Sequence, residues 1–432
     1  MKNLIPLSAI LLAAVVCADP ADPQISNVRL GQSGVSRRVT VRYDLDEAAV
    51  VTMDVLTNGV SIGGANIQNV SGDCFKKVAA GNNHVVGWDP WLSWPDQKFG
   101  AGVVSVRMTA WALDNTPDYM VVDVSAAAQP DTQAYYPSSE FLPGGLLSNQ
   151  NYRTTKLVMR KIMAKDVEWT MGSTPLETQR NGSREATHQV TLTNNYYIGV
   201  FPVTQAQWDL IQPSSTAPSY FNNAADRAMR PVEKVCYNEI RNSADDSANS
   251  IYNWPHDPNP SSFLGKLRTK TGLNFDLPSE AQWEFAVRAG NGDTKWGDGS
   301  GILNSDADAN LDKLGRYRQN GGRVLSGSSY ANPAQSCGAT NGTAIVGTYA
   351  PNDWGLYDTA GNVFEWCLDW FADDITTLNG AVNTASGEYH VNRGGSWYVA
   401  AWDCRPASRA RGNPSARDFN YGFRLVCTAG LQ

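Results

Sequence analysis

Hydrophobic and polar residues alternate along the first part of the chain, between residues 24 and 125. Runs of β-branched residues with a period of two occupy positions 37–44, 48–56 and 103–113, and turn residues separate them. This period is typical of half-buried strands. The pattern predicts a small all-β sandwich of immunoglobulin or fibronectin type over residues 24–125.

Three tryptophans lie late in this region, at Trp88, Trp91 and Trp94. Large rings contribute strongly to the core of a small domain, and the alternative is a surface stripe that binds a ligand. We expect these rings to close the core of the sandwich.

The composition changes over residues 126–152, where Ala, Gln, Pro, Ser and Gly dominate. Prolines at positions 130, 137 and 143 interrupt any regular element there. The segment is predicted to be a linker.

From residue 153 to 428 the pattern is that of short strands, loops and a few helices. Thr204 precedes Gln207 by three residues, and Ser279 precedes Gln282 in the same way. Each pair is a capping box, in which the two side chains satisfy the backbone N–H groups at a helix start. The second helix is expected to stop at Gly290. The fold class predicted for this part of the chain is α+β.

Length and charge limit the functions that are open to the protein. A chain of 432 residues is long for one ordinary core, so two domains are expected. The net charge is −7, and no long basic run is present. We therefore do not expect the protein to bind nucleic acid through a basic face.

The amino terminus resembles a secretory signal. Lys2 precedes an apolar run over residues 4–16, and small residues follow, so cleavage is expected after Ala18. The run is too short to span a membrane. The alternative is a lipid anchor at Cys17, although the bulky Val16 fits that processing poorly. We expect a secreted, periplasmic or cell-surface protein without a transmembrane segment.

Six cysteines remain after such cleavage, and export would permit disulfides among them. The sequence does not rank the pairings. Cys74 is alone in its half of the chain and is expected to be a small buried residue or a free thiol. The six are Cys74, Cys236, Cys337, Cys367, Cys404 and Cys427.

Six motifs between residues 153 and 428 occur in the order of one known family. They are MGS at 171–173, HQVTLTNNYYIGVFPVTQAQW at 188–208, RPVEKV at 230–235, LPSEAQWEFAVRAG at 277–290, GLYDTAGNVFEW at 355–366, and RGGSW at 393–397 with GFRLV at 422–426. Together they resemble the formylglycine-generating enzymes, also called sulfatase-modifying factors. The resemblance implies a C-type-lectin-like fold with long loops.

Two of these motifs also have direct physical interpretations. Gly394 and Gly395 lack side chains, which lets the backbone pass close beneath a loop. In the last motif, Phe423 is expected to be buried and Arg424 to pair with a carboxylate.

The resemblance implies an oxidative chemistry for which one residue is missing. The enzymes of the family bind copper(I) with two cysteines, because soft thiolates select that ion. Ser396 and Cys404 fall on family positions, but the first cysteine position is occupied by Val399. We therefore expect no copper site and assign no catalytic residue. Cys404 is expected to be a disulfide partner or a buried thiol.

The resemblance also implies calcium. Carboxylates alternating with backbone carbonyls suit this ion, and the alternative is that the acids only cap turns. A first site would use the side chains of Asp358 and Glu365 and the carbonyls of Gly361 and Val363. A second would use the Asn310 side chain and the Leu311 carbonyl.

Aromatic and charged residues are concentrated near the carboxy terminus, where some relatives of the family carry a diversified ligand-binding segment. Such residues on loops are typical of recognition of proteins or glycans. We predict a non-catalytic protein that binds such a ligand; the alternative is an oxidase that converts a sulfatase cysteine to formylglycine with copper and oxygen. Trp397 and Phe419 have the further alternative of packing inward. The candidate ligand-binding residues are Trp397, Tyr398, Trp402, Asp403, Arg417, Asp418 and Tyr421.

Overall fold

The computed structural model describes residues 22–95, 103–213, 218–222, 225–241, 257–303, 306–322, 324–326, 329–331, 341–380, 382–385 and 387–428. These residues divide into two compact units. The amino-terminal unit consists of residues up to 121 together with 132–149, and the carboxy-terminal unit consists of 122–131 and 150–428. The predicted signal at residues 1–18 and Cys337 lie outside the described residues.

The amino-terminal unit is built from strands. They are β1 (Ile25–Gln32), β2 (Val39–Leu45), β3 (Ala49–Thr57), β4 (Val60–Ser61), β5 (Val70–Gly72), β6 (Lys76–Val78), β7 (Gly81–Trp88), β8 (Val104–Trp111), β9 (Tyr119–Asp123, which continues into the other unit) and β10 (Ala134–Tyr136). One sheet has the order β1-β2-β7-β5. In the other, β3 pairs with β8 along its length and with β4 and β6 at its two ends.

One hydrophobic cluster receives side chains from both sheets. Val41 of β2 and Val86 of β7 are packed in it together with Val51 of β3 and Met108 of β8. Alternation along β2 is clear, since every second side chain is buried. The prediction of an all-β region at the amino terminus is confirmed, and the three predicted runs correspond to β2, β3 and β8 to within two residues.

The three tryptophans of this unit differ in burial. Trp88 is 2% exposed within the hydrophobic cluster, and the ring of Trp94 stacks on it with 6.4 Å between centroids. Trp91 is 53% exposed. Two of the three rings therefore serve the core, and one lies at the surface.

The segment expected to be a linker contains ordered structure. Strand β10 lies within it and pairs with β9, with Tyr135 opposite Met120. Tyr135 is buried, and its N–H donates to the carbonyl of Phe75. Residues 132–149 therefore belong to the amino-terminal unit.

The carboxy-terminal unit combines short strands, short helices and long loops. Its strands are β11 (Lys156–Ile162), β12 (Glu168–Met171), β13 (His188–Thr191), β14 (Tyr196–Gly199), β15 (Phe275–Asp276), β16 (Val324–Ser326), β17 (Ser329–Ala331), β18 (Phe364–Trp370), β19 (His390–Arg393), β20 (Arg409–Gly412), β21 (Tyr421–Gly422) and β22 (Val426–Thr428). Its α-helices are α1 (Gln205–Ile211), α2 (Tyr237–Ile240), α3 (Phe263–Thr271), α4 (Glu280–Arg288) and α5 (Leu311–Leu314).

Two sheets organise this unit. One contains the order β11-β14-β22-β15, and the other has the order β20-β19-β18-β21, in which β21 runs parallel to β18. The pairs β12–β13 and β16–β17 form separate hairpins. Of the residues predicted to be functional, Glu365 lies on β18 and Tyr421 on β21 of the second sheet.

Both predicted capping boxes are confirmed. The Thr204 side chain accepts from the N–H of Gln207 at the start of α1, and the Ser279 side chain accepts from that of Gln282 at the start of α4. Helix α4 ends at Arg288, and its C-cap is Ala289 rather than the predicted Gly290. Ala289 already has a left-handed backbone, with φ of 51°. The pattern of short α-helices and short sheets confirms the predicted α+β class.

Candidate functional site

The site begins where β19 ends in two consecutive glycines. Gly394 and Gly395 have φ of +87° and +70°, a region that favours glycine. A Cβ on Gly394 would lie 2.9 Å from Cζ2 of Trp283, and one on Gly395 would lie 2.4 Å from Sγ of Cys404. The predicted close approach of the backbone is therefore confirmed, and it places Cys404 directly beneath the turn.

Cys404 is a buried thiol. It is 0% exposed, its Sγ lies 3.6 Å from the carbonyl oxygen of Ala400, and burial raises the pKa of the thiol. The half-buried Val399 packs in the same apolar cluster, beside Leu314 and Tyr317. A thiolate is disfavoured in such surroundings. One inert thiol and one valine do not fit copper(I), which needs two soft ligands here.

Ser396 has a structural place in the turn. It is 0% exposed, and its Oγ accepts from the N–H of Tyr398 at 3.4 Å and from Nδ2 of Asn420 at 3.3 Å. These contacts join the turn after β19 to the loop before β21.

The cysteines within the described ranges are all free and buried. Disulfides are therefore not found among them, and Cys74 is the buried free thiol that the sequence predicted. They are Cys74, Cys236, Cys367, Cys404 and Cys427.

The acidic residues proposed for the first calcium site lie on either side of the turn before β18. Asp358 is 2% exposed; its Oδ2 accepts from the N–H of Gly347 at 2.8 Å and its Oδ1 from Nδ2 of Asn362 at 3.1 Å. Burial raises the pKa of Asp358 to about 6. The cause of this rise is desolvation, which two hydrogen bonds offset only in part.

Glu365 is bound much more strongly within the protein. Trp283 Nε1 and Arg424 Nε both donate to its Oε2 at 2.6 Å, and Arg424 Nη2 donates to its Oε1 at 2.8 Å. Glu365 is 1% exposed and Arg424 0%. The prediction that Arg424 pairs with a carboxylate is confirmed, and so is the burial of Phe423, which is 0% exposed.

A count of lone pairs tests whether calcium fits these two acids. Each carboxylate oxygen can accept about two hydrogen bonds. Among the described residues, both oxygens of Asp358 and Oε1 of Glu365 accept one each, so three positions remain. No group of three or more His, Cys, Asp or Glu suited to a metal occurs in the described part of the chain. Calcium fits here only if backbone carbonyls complete the set, and the buried Gly361 and Val363 lie between the two acids.

The residues of the second calcium site form a turn at the start of α5. Asn310 Nδ2 donates to the carbonyl of Gly301 at 2.8 Å, and the carbonyl of Leu311 accepts from the N–H of Gly315 at 3.1 Å. Asp308 accepts from the N–H groups of Asn310 and Leu311 at 2.8 and 3.2 Å. The acid of this segment thus closes a turn.

The predicted ligand-binding residues lie at different depths. Trp397 is 0% exposed and packs against Phe221, Tyr398 and Phe419. Its Nε1 donates to the carbonyl of Phe419 at 3.2 Å. Trp397 therefore supports the surface from beneath, and the half-buried rings of Tyr398, Phe419 and Tyr220 lie above it.

Three other members of the predicted set have partners outside this cluster. Trp402 lies 5.9 Å from the Arg318 guanidinium, and Tyr421 packs edge-on against Trp366 at 5.2 Å. Arg417 is exposed and pairs with Glu239 at 2.9 Å.

Two half-buried acids belong to the same stretch. Burial raises the pKa of both Asp403 and Asp418. Oδ1 of Asp418 is buried without a hydrogen-bond partner among the described residues. A buried carboxylate oxygen without a donor costs stability.

The sequence did not indicate the loop that completes the aromatic cluster. Glu233 is 0% exposed, and its two oxygens accept from the N–H groups of Tyr220 and Phe221, each at 2.9 Å. Burial raises the pKa of Glu233 to about 8. The available signal was the position of Glu233 within the motif at 230–235, close to the apolar residues Val232 and Val235.

Comparison with known proteins gives matches in this part of the chain. Residues 126–429 match the family described as the sulfatase-modifying factor enzyme 1-like domain. The formylglycine-generating enzyme of Streptomyces coelicolor is 35% identical over 165 residues, which cover 36% of this chain and 47% of that one. The serine/threonine-protein kinase pkn1 of Chlamydia pneumoniae is 34% identical over 155 residues, 35% of this chain and 20% of that one. The matched region thus spans about a fifth to a half of these relatives.

Among solved structures, Treponema denticola variable protein 1 is similar with a TM-score of 0.45 and 27% identity, over 63% of this chain and 96% of that one. Within the described ranges, none of the helices has the length and apolar content needed to cross a membrane.

Proposed function

We propose a function on the premise that the chain belongs to the sulfatase-modifying factor enzyme 1-like domain family, which residues 126–429 match. Family membership confirms the resemblance read from the six motifs, and with it the C-type-lectin-like fold class. Within this family, the protein is a non-catalytic member that binds a protein or glycan ligand. Its predicted signal at 1–18 directs its export.

One observation carries the non-catalytic part of the proposal. At the two positions where the family's enzymes hold copper, this chain has Val399 and the wholly buried Cys404 within one apolar cluster. Neither side chain offers a thiolate to a metal or to oxygen. The binding part is supported by the half-buried rings of Tyr398 and Phe419 and by Asp418, whose Oδ1 is buried without a hydrogen-bond partner among the described residues.

An oxidation assay tests the proposal. The full chain is incubated with copper(I), oxygen and a peptide that contains the CxPxR sequence, and mass spectrometry follows the loss of the substrate thiol. We expect no conversion, while the Streptomyces coelicolor enzyme provides the positive control. Conversion by the wild type that is lost in Cys404→Ala would establish the alternative, an oxidase that modifies sulfatases.

Calcium is a further part of the proposal. Ligation by Asp358 and Glu365 would stabilise the native state by mass action, so a chelator is expected to lower the melting temperature by about 5–10 °C at saturating calcium. Asp358→Ala should melt at the same temperature with and without the chelator.

Because burial raises the pKa of Asp358 to about 6, the proton competes with calcium for this carboxylate below that pH. The chelator effect should therefore be smaller at pH 5 than at pH 7.5.

Thermal unfolding followed by circular dichroism measures this response. A wild-type melting temperature that the chelator leaves unchanged at pH 7.5 would mean that the two acids serve only the turn and the Arg424 pair.

A further inference from the structure

Several arginines converge on one aromatic ring at the edge of the second sheet. Phe371 follows β18 directly, and the guanidinium carbons of Arg184, Arg409 and Arg411 lie 5.4, 4.8 and 5.2 Å from its ring centroid. Arg409 and Arg411 both lie on β20, at one end of the strand order. A guanidinium at this distance is attracted to the face of an aromatic ring.

Arg409 is fully used within the protein. It is 8% exposed, and its Nε and Nη2 donate to the two carboxylate oxygens of Glu280 at 2.6 and 2.8 Å. Its Nη1 donates to the carbonyls of Ala372 at 2.8 Å and Arg184 at 3.1 Å. This arginine is structural.

The guanidinium groups of the other two have unused donors. Arg411 is exposed and lies between two rings, with Tyr389 at 4.8 Å as the second. Within the described residues its guanidinium has no hydrogen bond or ion pair. Arg184 donates from Nε to Asp373 at 2.7 Å, and its two Nη groups have no partner in the described part of the chain. Two cations with unpaired N–H groups therefore surround one ring.

We propose that Arg184 and Arg411 form a binding site for the carboxylate groups of an acidic segment of a partner protein. A guanidinium presents its N–H donors in a planar fork that matches a carboxylate with two parallel hydrogen bonds. The rings of Phe371 and Tyr389 hold the Arg411 fork in place, so less conformational entropy is lost when the ligand binds. The site uses residues outside the predicted ligand-binding set and does not depend on that set.

The surroundings favour a protein over a glycan. Sugars stack on open ring faces, whereas Phe371 and Tyr389 are already contacted by guanidinium groups. Arginine and tyrosine together are typical of the residues that contribute most to protein interfaces.

Two acids also face the site: Asp373, which pairs with Arg184, and Glu388, which accepts from the Tyr389 hydroxyl at 2.9 Å. Glu388 opposes the binding of an anion.

The test uses the full chain and a hexaglutamate peptide, with hexaglutamine as the uncharged probe. Isothermal titration at low ionic strength should detect hexaglutamate, and salt should weaken its binding because the contact is exposed. Arg411→Gln and Arg184→Gln should each weaken binding about tenfold, since each removes hydrogen bonds to a charged group. Arg411→Lys should not restore full affinity, because lysine lacks the fork. Glu388→Gln should tighten binding.

Arg417→Gln is the matched control, because it removes an exposed arginine whose Nε and Nη2 both already donate to Glu239, whereas Arg184 pairs through Nε alone. It should bind hexaglutamate as the wild type does, and unchanged melting temperatures establish that the variants fold. Wild-type affinity in Arg411→Gln, or an equal loss in Arg417→Gln, would overturn the proposal. Tighter binding of hexagalacturonate than of hexaglutamate would overturn the assignment to a protein and assign the site to an acidic glycan.

Discussion

Arg424→Met is expected to lower the free energy of unfolding by about 3–5 kcal/mol, because it leaves a buried carboxylate without its counter-charge. Arg424 donates from Nη1 to the carbonyl of Gly199 at 2.9 Å and from Nη2 to that of Tyr357 at 2.9 Å. Nη2 also donates to the carbonyl of Asp358 at 3.2 Å, and the remaining bonds go to Glu365, which would keep one donor, Nε1 of Trp283. One side chain thus joins the end of β14, the loop before β18 and β18 itself. Methionine preserves the length and the apolar contacts of the side chain but none of these bonds.

Urea unfolding followed by tryptophan fluorescence, with a chelator present, measures the effect without a contribution from calcium. Arg417→Met serves as the control, since Arg417 and Glu239 form an ion pair at the surface, and exposed pairs contribute less than about 1 kcal/mol. Equal effects of the two substitutions would contradict the role assigned to the buried pair.

Trp397→Ala is the second change for which we expect a large loss, about 3–5 kcal/mol. The ring is 0% exposed and lies between 5.2 and 5.5 Å, by centroid, from the rings of Phe221, Tyr398 and Phe419. Its removal would leave a cavity beneath the surface proposed to bind ligand, and the surrounding turns can collapse into it only in part. Ligand binding would then be lost together with stability.

The control for this prediction is Trp402→Ala, five residues further along the chain. Trp402 is half-buried and packs against the Arg318 guanidinium, so its truncation removes less buried area. We expect less than half the effect of Trp397→Ala in the same urea experiment. A Trp397→Ala protein as stable as the wild type would mean that this ring does not support the cluster.

Local features of the carboxy-terminal unit could be predicted because they depend on neighbours in sequence. The capping boxes at Thr204 and Ser279 need two residues three positions apart, and both form as predicted. The glycines after β19 need a left-handed backbone, which a glycine pair permits at little cost. Glu365 and Arg424 belong to two of the six family motifs, at 355–366 and 422–426, so the resemblance identified both residues.

Pairings between distant segments could not be predicted from such patterns. Arg405 is 2% exposed and pairs with Glu177 and Glu185, more than 200 positions earlier in the chain. Arg405 lies in the stretch near the carboxy terminus that is rich in aromatic and charged residues, and no sequence pattern distinguishes it from the exposed arginines there. Its burial depends on which loop covers it, and a loop without periodicity carries no signal for that.

The sequence by itself therefore determined the family, the α+β class, the helix starts, the glycine turn and the absence of the first copper cysteine, whose position is occupied by Val399. Only the tertiary structure decided which side chains are buried. Trp397 and Arg405 are buried, whereas Trp402 is half-buried and Arg417 is exposed. The tertiary structure also decided that Phe221, held by Glu233, completes the aromatic cluster and that Arg184 joins Arg411 at Phe371. The physical reason is that burial in a loop-rich domain is set by long-range packing, in which each side chain is covered by residues remote from it in the chain.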